Sequence, residues 1–194
     1  MTRTPGTTVL LAGFAAILLS IGCGGARAKV TYHDANMDFG LIRTVAVLPF
    51  ENLSDDTAAD AAVRDVFMTM LQATGAVYVL PPGEVGRGIS RLSLSSPSAP
   101  TVEEAVRFAD IVGADVLITG TVREFGELRS TGNAANAVSV SVMMLDGRTG
   151  TVVWRASTSA GGIKAVQRVF GGGGQPMDKV LRKAVSDLLD KLFR

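Results

Sequence analysis

Apolar residues change their spacing several times along this chain, and each spacing predicts a different element. Thr44-Val45-Ala46-Val47-Leu48-Pro49-Phe50 is an unbroken apolar run, which suits a strand covered on both faces. After the turn-forming Asn52-Leu53-Ser54-Asp55-Asp56, apolar side chains recur at helical spacing at Ala59, Val63, Val66, Phe67, Met70 and Leu71. Asp60, Arg64 and Asp65 fall elsewhere on that wheel, and Gly75 ends the helix. Val77-Tyr78-Val79-Leu80 reads as a second short strand stopped by Pro81-Pro82, and Ser90 to Pro100 as a Ser/Pro-rich loop. Thr101-Val102-Glu103-Glu104 is a capping box, in which hydroxyl and carboxylate satisfy each other's exposed backbone donors, so a helix follows to about Val112. Val116-Leu117-Ile118 is a second doubly buried run. It passes into alternation, with Thr119, Thr121 and Arg123 set against Gly120, Val122 and Glu124.

From Ala137 to Ser159 the pattern predicts a hairpin. Val138, Val140, Val142 and Met144 alternate with Ser139, Ser141 and Met143, and Asp146-Gly147-Arg148-Thr149-Gly150 turns the chain into Val152-Val153-Trp154-Arg155. A final helix carries one stripe of Met177, Val180, Leu181, Ala184, Val185, Leu188, Leu189 and Leu192. Lys183, Asp187 and Lys191 repeat by four on the other side. The expected order is strand, helix, strand, helix, three strands and a closing helix. That is an α/β fold: a mixed sheet with a parallel βαβαβ part and an antiparallel meander, covered by helices and closed by a C-terminal amphipathic helix.

The first forty residues follow another logic. One positive charge at Arg3, an apolar run from Val9 to Leu19 and small residues around Gly22 have the three parts of an export signal. As a helix, Val9 to Ile21 rises only about 20 Å against a hydrocarbon core of roughly 30 Å, too short to span a bilayer. Leu19-Ser20-Ile21-Gly22-Cys23 resembles the lipobox of bacterial lipoproteins, with Ser20 standing where Leu, Val or Ile is usual. Residues 1–22 are thus expected to be a lipoprotein signal peptide and Cys23 the lipidated first residue of the mature chain. Cys23 is the only cysteine, so lipidation leaves no thiol for catalysis or a disulfide. More than one acyl chain makes such an anchor stable rather than reversible. Residues 23–40, rich in Gly, Ala, Asn and Asp, read as the lipidated N-terminus and a flexible tether. Residues 41–194 read as a single periplasmic domain. His33, the only histidine, lies in that tether and reads as a solvated residue, because general-base work needs a ring held in one geometry.

Charge narrows the partners. The mature 172 residues would carry eighteen basic and eighteen acidic side chains without a long basic stripe, which gives no electrostatic footprint for nucleic acid. Catalysis finds little support. Glu51, Asp55 and Asp56 follow the first strand, where ligands bind in open sheets, and the Glu51–Asp56 loop is the one place where a small ligand or a hydrolytic carboxylate pair is conceivable. Acidic loops before helices more often act as caps, however, and the chain has no Gly-x-Ser-x-Gly elbow and no His/Cys metal spacing. Gly171-Gly172-Gly173-Gly174 is not a phosphate loop: no Gly-Lys-Ser/Thr follows, and Asp178 puts a negative charge where a phosphate would sit. No catalytic residue, metal ligand or cofactor is assigned.

Three strings carry a family resemblance: Val45-Ala46-Val47-Leu48-Pro49-Phe50-Glu51-Asn52, Gly113-Ala114-Asp115-Val116-Leu117-Ile118-Thr119-Gly120-Thr121-Val122, and Asp146-Gly147-Arg148-Thr149-Gly150-Thr151-Val152-Val153-Trp154. They resemble a group of envelope lipoproteins that includes the curli-secretion protein CsgG, the polysaccharide-export protein PelC and the penicillin-binding-protein activator LpoB. The group is related in fold to the amino-terminal domain of TolB. The resemblance implies a non-catalytic scaffold or assembly component of an envelope export or secretion system, lipid-anchored at the periplasmic face of the outer membrane. It also implies contacts with other envelope proteins and self-association into a homo-oligomer. Gly24 in place of an aspartate after the cysteine agrees with outer-membrane delivery within that group. The chain has no room for two pairs of transmembrane hairpins of the CsgG type, with strands of about 9 to 11 residues. The alternative within the group is an activator of a peptidoglycan synthase, and the short tether sets the chain apart from LpoB's long arm.

Candidate contact residues lie near the end of the sheet. Ile163 to Phe170 places Val166, Val169 and Phe170 beside Lys164 and Arg168 ahead of the glycines, a partner-facing element in a connection longer than a closed small domain needs. Trp154 is a candidate for either core or interface, since it would share a strand face with Val152 and Ala156. Arg155 on the opposite face is expected to be exposed. Replacing Cys23 with serine is expected to abolish incorporation of labelled palmitate and release the chain from the membrane fraction. Incorporation that survives the substitution would contradict the anchor.

Overall fold

A computed structural model describes residues 31–130, 133–162 and 174–193. Strands β1 (Thr31–His33), β2 (Thr44–Val47), β3 (Glu51–Asn52), β4 (Tyr78–Val79), β5 (Val116–Ser130), β6 (Asn133–Asp146) and β7 (Val152–Gly161) form one sheet. Its order is β1-β7-β6-β5-β2-β4, with β3 also alongside β5. β2 is parallel to β4 and β5, whereas β5, β6, β7 and β1 run antiparallel in turn. Helices α1 (Ala59–Ala73), α2 (Pro82–Leu92), α3 (Val102–Val112) and α4 (Met177–Leu192) cover it. The fold is mixed α/β, as the spacing predicts.

The doubly buried runs explain the layering. Val45, Val47, Val116 and Ile118 join a cluster with Val63, Phe67 and Leu71 of α1 and Val180, Val185 and Leu188 of α4. The intervening Ala46, Leu48 and Leu117 join a second cluster with Val85 of α2 and Phe108 of α3. α1 therefore covers one face of the parallel part and α2 and α3 the other, while α4 packs beside α1 over β6 and β7. Over the meander only the α4 face is covered, so the other face alternates to Ser139, Ser141, Ser157 and Ser159, whose hydroxyls pair at 2.8 Å (Ser141–Ser157) and 3.1 Å (Ser159–Ser139). Close packing constrains one glycine in particular. A Cβ on Gly120 would lie 2.8 Å from the Ser141 carbonyl and 3.1 Å from the Phe50 ring.

Two local devices work as the sequence suggests. The Thr101 hydroxyl accepts from the Glu104 N–H at 3.2 Å, the Glu104 carboxylate accepts from the Thr101 N–H at 2.8 Å, and Gly113 ends α3 at φ 70°. The stripe of α4 is buried at Val180, Leu181, Ala184, Val185, Leu188 and Leu189.

Other expectations are corrected. Pro81-Pro82 does not end in a loop: Pro82 starts α2, whose last turn includes Ser90 to Leu92. Proline suits a first helical turn because its missing N–H has no partner there, while Gly83, Gly86 and Gly88 weaken the helical signal. Gly88 lets α2 approach Phe108 and Val112 of α3. Two β-bulges break the simple alternation. Val122 pairs with Val140 but Glu124 with Ser139, so Arg123 is the extra residue and Phe125 turns back to the α1/α4 side. Met144 pairs with Trp154 but Leu145 with Val152. Val153 and Trp154 therefore both join the α1/α4 cluster and Val152 packs on the opposite side, not on Trp154's face.

Residues 31–33, read as tether, instead form the sheet's edge strand, with Thr31 opposite Ala156 and His33 opposite Trp154. His33 is not loose. Its Nε2 lies 3.1 Å from the Lys191 carbonyl, and its ring meets Phe39 and Trp154 edge-on at 5.6 and 6.4 Å between centroids. Lys191 is also misplaced by the wheel: it is 8% exposed, because its ammonium reaches the Ser157 carbonyl at 2.8 Å and the Asp187 carboxylate. Thr158 donates to the same carboxylate at 2.7 Å, so α4 is locked to β7 by polar bonds as well as by its apolar stripe.

Trp154→Ala is expected to cost about 3–5 kcal/mol in denaturant unfolding, against about 0.5 kcal/mol or less for exposed Arg155→Ala. Equal effects would contradict the core assignment. Lys191→Met is expected to stay within about 1 kcal/mol of the parent, because it removes the buried charge altogether. Asp187→Ala should cost more, about 1–3 kcal/mol, by leaving that ammonium without its carboxylate; the range allows for the solvent that reaches Asp187. The reverse order would overturn this account of the lock.

Candidate functional site

A groove of about 900 Å³ opens where the turn after β6 meets the end of α3 and the segment leading into β2. The carboxylates of Asp115 and Asp146 on its wall hold backbone. Asp115 Oδ2 accepts from the Arg43 and Thr44 N–H groups, both at 2.8 Å, tying the start of β2 to the start of β5. Asp146 Oδ1 accepts from the N–H groups of Arg148 and Thr149, each at 2.8 Å, and so builds the hairpin turn. Arg148 stands 3.9 Å from Asp146 with its own side chain largely in solvent. This groove brings together groups that form the hairpin turn and join the strand starts.

The Glu51–Asp56 loop is the other candidate. The Asn52 side chain organises it: Oδ1 accepts from the Ser54 N–H at 3.0 Å and hydroxyl at 2.7 Å, and Nδ2 donates to the Asp56 carbonyl at 2.7 Å. Asp56 Oδ1 accepts from the Ala58 N–H at 2.9 Å, just ahead of α1. Glu51 accepts from the Thr121 hydroxyl at 3.2 Å across the β3–β5 pair. Asp56 thus acts as a helix-start acceptor and Glu51 as a cross-strand one. Beyond them the loop diverges from β5 and leaves a groove of about 470 Å³ against the outer part of that strand. Leu53 and Leu128, 57% and 45% exposed, both line it.

Arg64 is a residue that the wheel of α1 does not single out. Its guanidinium donates to the carbonyls of Val47 and Leu48, where β2 leaves the sheet. Burial lowers its pKa from the ordinary arginine value, and Asp65 acts in the opposite direction. An arginine 16 residues further along the chain than the carbonyl it meets carries no sequence signal of that contact. Among the described residues, no group of three or more His, Cys, Asp or Glu side chains is placed to hold a metal ion, and no helix is long and apolar enough to cross a membrane.

The predicted contact residues divide. Trp154 is fully buried, so within one chain it belongs to the core, and its Nε1 has no hydrogen-bond partner among the described residues. Arg155 is exposed on the helix-free face, opposite Tyr32 in β1, with Nη2 donating to Met143 Sδ at 3.2 Å. Cys23, Val166, Val169 and Phe170 lie outside the described residues.

Comparison with known proteins agrees with this architecture. Lipoprotein GNA1162 from Neisseria meningitidis superposes with a TM-score of 0.57 at 18% identity, over 78% of this chain and 98% of that one. A PelC dodecamer from Paraburkholderia phytofirmans gives 0.56 at 16% identity, over 84% and 96%. The LpoB C-terminal domain from Salmonella enterica gives 0.48 at 16% identity, over 65% and 86%, a likeness too distant to bear on function. No curated protein matches the sequence. The model of the GNA1162-like lipoprotein family matches residues 38–193, which runs from the turn before β2 to the end of α4, and the chain belongs to that family.

Proposed function

We propose that this chain is a non-catalytic lipoprotein, anchored through Cys23 at the periplasmic face of the outer membrane, that serves as an assembly component of an envelope export or secretion system by associating with itself. The observation that carries the reading is the fold shared with a PelC dodecamer over 84% of this chain, in a lipoprotein family. The site chemistry supports it. Asp115, Asp146 and Asp56 hold backbone groups, and the one histidine is seated against the end of α4.

The mechanism is geometric. A lipid anchor confines each copy to a surface, which raises its local concentration, and repeated contact between two different patches per subunit closes a ring when the rotation allows. The helix-free face of the meander and the groove beside outer β5 supply unlike surfaces on the same domain.

Mass measurement of the full chain extracted in detergent tests this reading. One discrete oligomer of many copies is expected. A monomer at all concentrations would contradict it, and a monomer that stimulates a peptidoglycan synthase would establish the activator role in its place.

A further inference from the structure

The groove beside outer β5 runs along a stretch of that strand paired on one side only among the described residues. From Arg123 to Arg129, β5 pairs with β6 on one side, while β3 reaches only Thr121 and Val122 on the other. Among the described residues the outer edge beyond that point has no strand partner. An unpaired edge presents backbone donors and acceptors in a row. Leu53, Phe125 and Leu128 supply apolar surface there, and Asp55, Asp56 and Glu124 supply negative charge. Arg123 is the one basic residue on the lining, and Glu127 is paired with Arg129 at 3.3 Å. The lining thus combines apolar side chains with an excess of negative charge.

The same chain contains a segment of opposite character. Ile163-Lys164-Ala165-Val166-Gln167-Arg168-Val169-Phe170 carries two cations and no acid. It lies outside the described residues, but the points where the chain departs and returns are fixed. The Gly162 N–H donates to the Asn136 carbonyl at 2.9 Å, and Asn136 Nδ2 donates to the Gln175 carbonyl at 2.9 Å. Both ends are therefore held at one residue of β6. Gly161, at φ 81°, turns the chain away where a Cβ would collide with that same Asn136 carbonyl. A closed excursion from residue 163 to 174 reaches at most about 20 Å, at roughly 3.3 Å per residue out and back.

Sheet order sets where this segment can go. It leaves from the end of β7, and the groove runs along outer β5 with one lining residue, Ala137, on the intervening β6. Donor and acceptor thus sit toward opposite lateral edges of one end of the sheet. Two copies placed side by side bring the donor of one to the acceptor of the next.

We propose that the Ile163–Phe170 segment of one copy seats in the groove of a second copy of this chain, with Val166, Val169 and Phe170 against Leu53 and Leu128, and Lys164 and Arg168 against its acidic side chains. The contact is heterologous, so it propagates to a closed ring or a filament rather than stopping at a dimer. This inference rests on the self-association proposed above and names the surfaces that produce it.

Charge reversal in the full chain tests it. Asp55→Lys with Glu124→Lys reverses the groove, and Lys164→Glu with Arg168→Glu reverses the segment. None of these side chains is assigned to the core or to the α4–β7 lock. Each double variant alone is expected to raise the concentration for half-assembly by about a hundredfold, as like charges are brought together. An equimolar mixture of the two variants is expected to reassemble, which also shows that both are folded. Leu128→Cys with Val166→Cys is expected to give disulfide-linked ladders between copies. Variants that assemble like the parent would overturn the proposal and leave self-association standing. Absence of rescue in the mixture, or crosslinks confined within single chains, would also overturn it. A parent chain that is monomeric would remove the self-association reading itself.

Discussion

Burial of β2 and the first residues of β5 on both faces is the constraint from which the rest of this structure follows. Val45 and Val47 point to one layer and Ala46 and Leu48 to the other, so neither strand can exist without helices above and below it. Each run has few residues and no polar face, and burying both sides removes their apolar area from water at roughly 25 cal/mol per Å². Helices must therefore lie on both faces of these strands. α1 and α4 take one side, and α2 and α3 the other. Where the second pair stops, the strands become half-polar, which is why serines line the helix-free face of the meander.

That arrangement decides what remains for function. Polar groups at the amino ends of the parallel strands join strand starts and shape a turn, and an arginine occupies the carboxyl end of β2, the end at which open sheets bind ligands. Asp115 ties β2 to β5, Asp146 makes the hairpin turn, and Arg64 satisfies the carbonyls where β2 departs. Among the described residues, the outer edge of β5 is left unpaired, with exposed Leu53 and Leu128 and several acidic side chains beside it. An unpaired edge of that kind can accept a strand from another chain.

Legibility in the sequence follows the same physics. The doubly apolar runs, the Thr101–Glu104 capping box and the α4 stripe are readable because each depends on spacing within one element. α2 is hidden because Pro81-Pro82 signals a break and a helix start with the same residues, while Gly83, Gly86 and Gly88 dilute the period. The two bulges shift the phase of β5 and β7, so Val152 and Glu124 are read onto the wrong faces by strict alternation. β1, His33 and the burial of Lys191 depend on a contact between the two ends of the fold, a pairing across 158 residues that no local window contains. The groove is partly legible: its acidic loop stands out, but its other wall comes from β5, which folds against that loop only in three dimensions. Cys23 and the Ile163–Phe170 segment lie outside the described residues and are read from the sequence alone.

Assembly through the outer edge of β5 is the central claim of this account. Amide hydrogen exchange of the full chain, compared between concentrated and dilute samples, addresses it directly. The account predicts that amides of residues 53–56 and 123–128 gain protection on concentration, while the doubly buried 45–47 and 116–118 are slow in both samples. Identical exchange at 53–56 and 123–128 in a sample whose mass shows it to be assembled would contradict it.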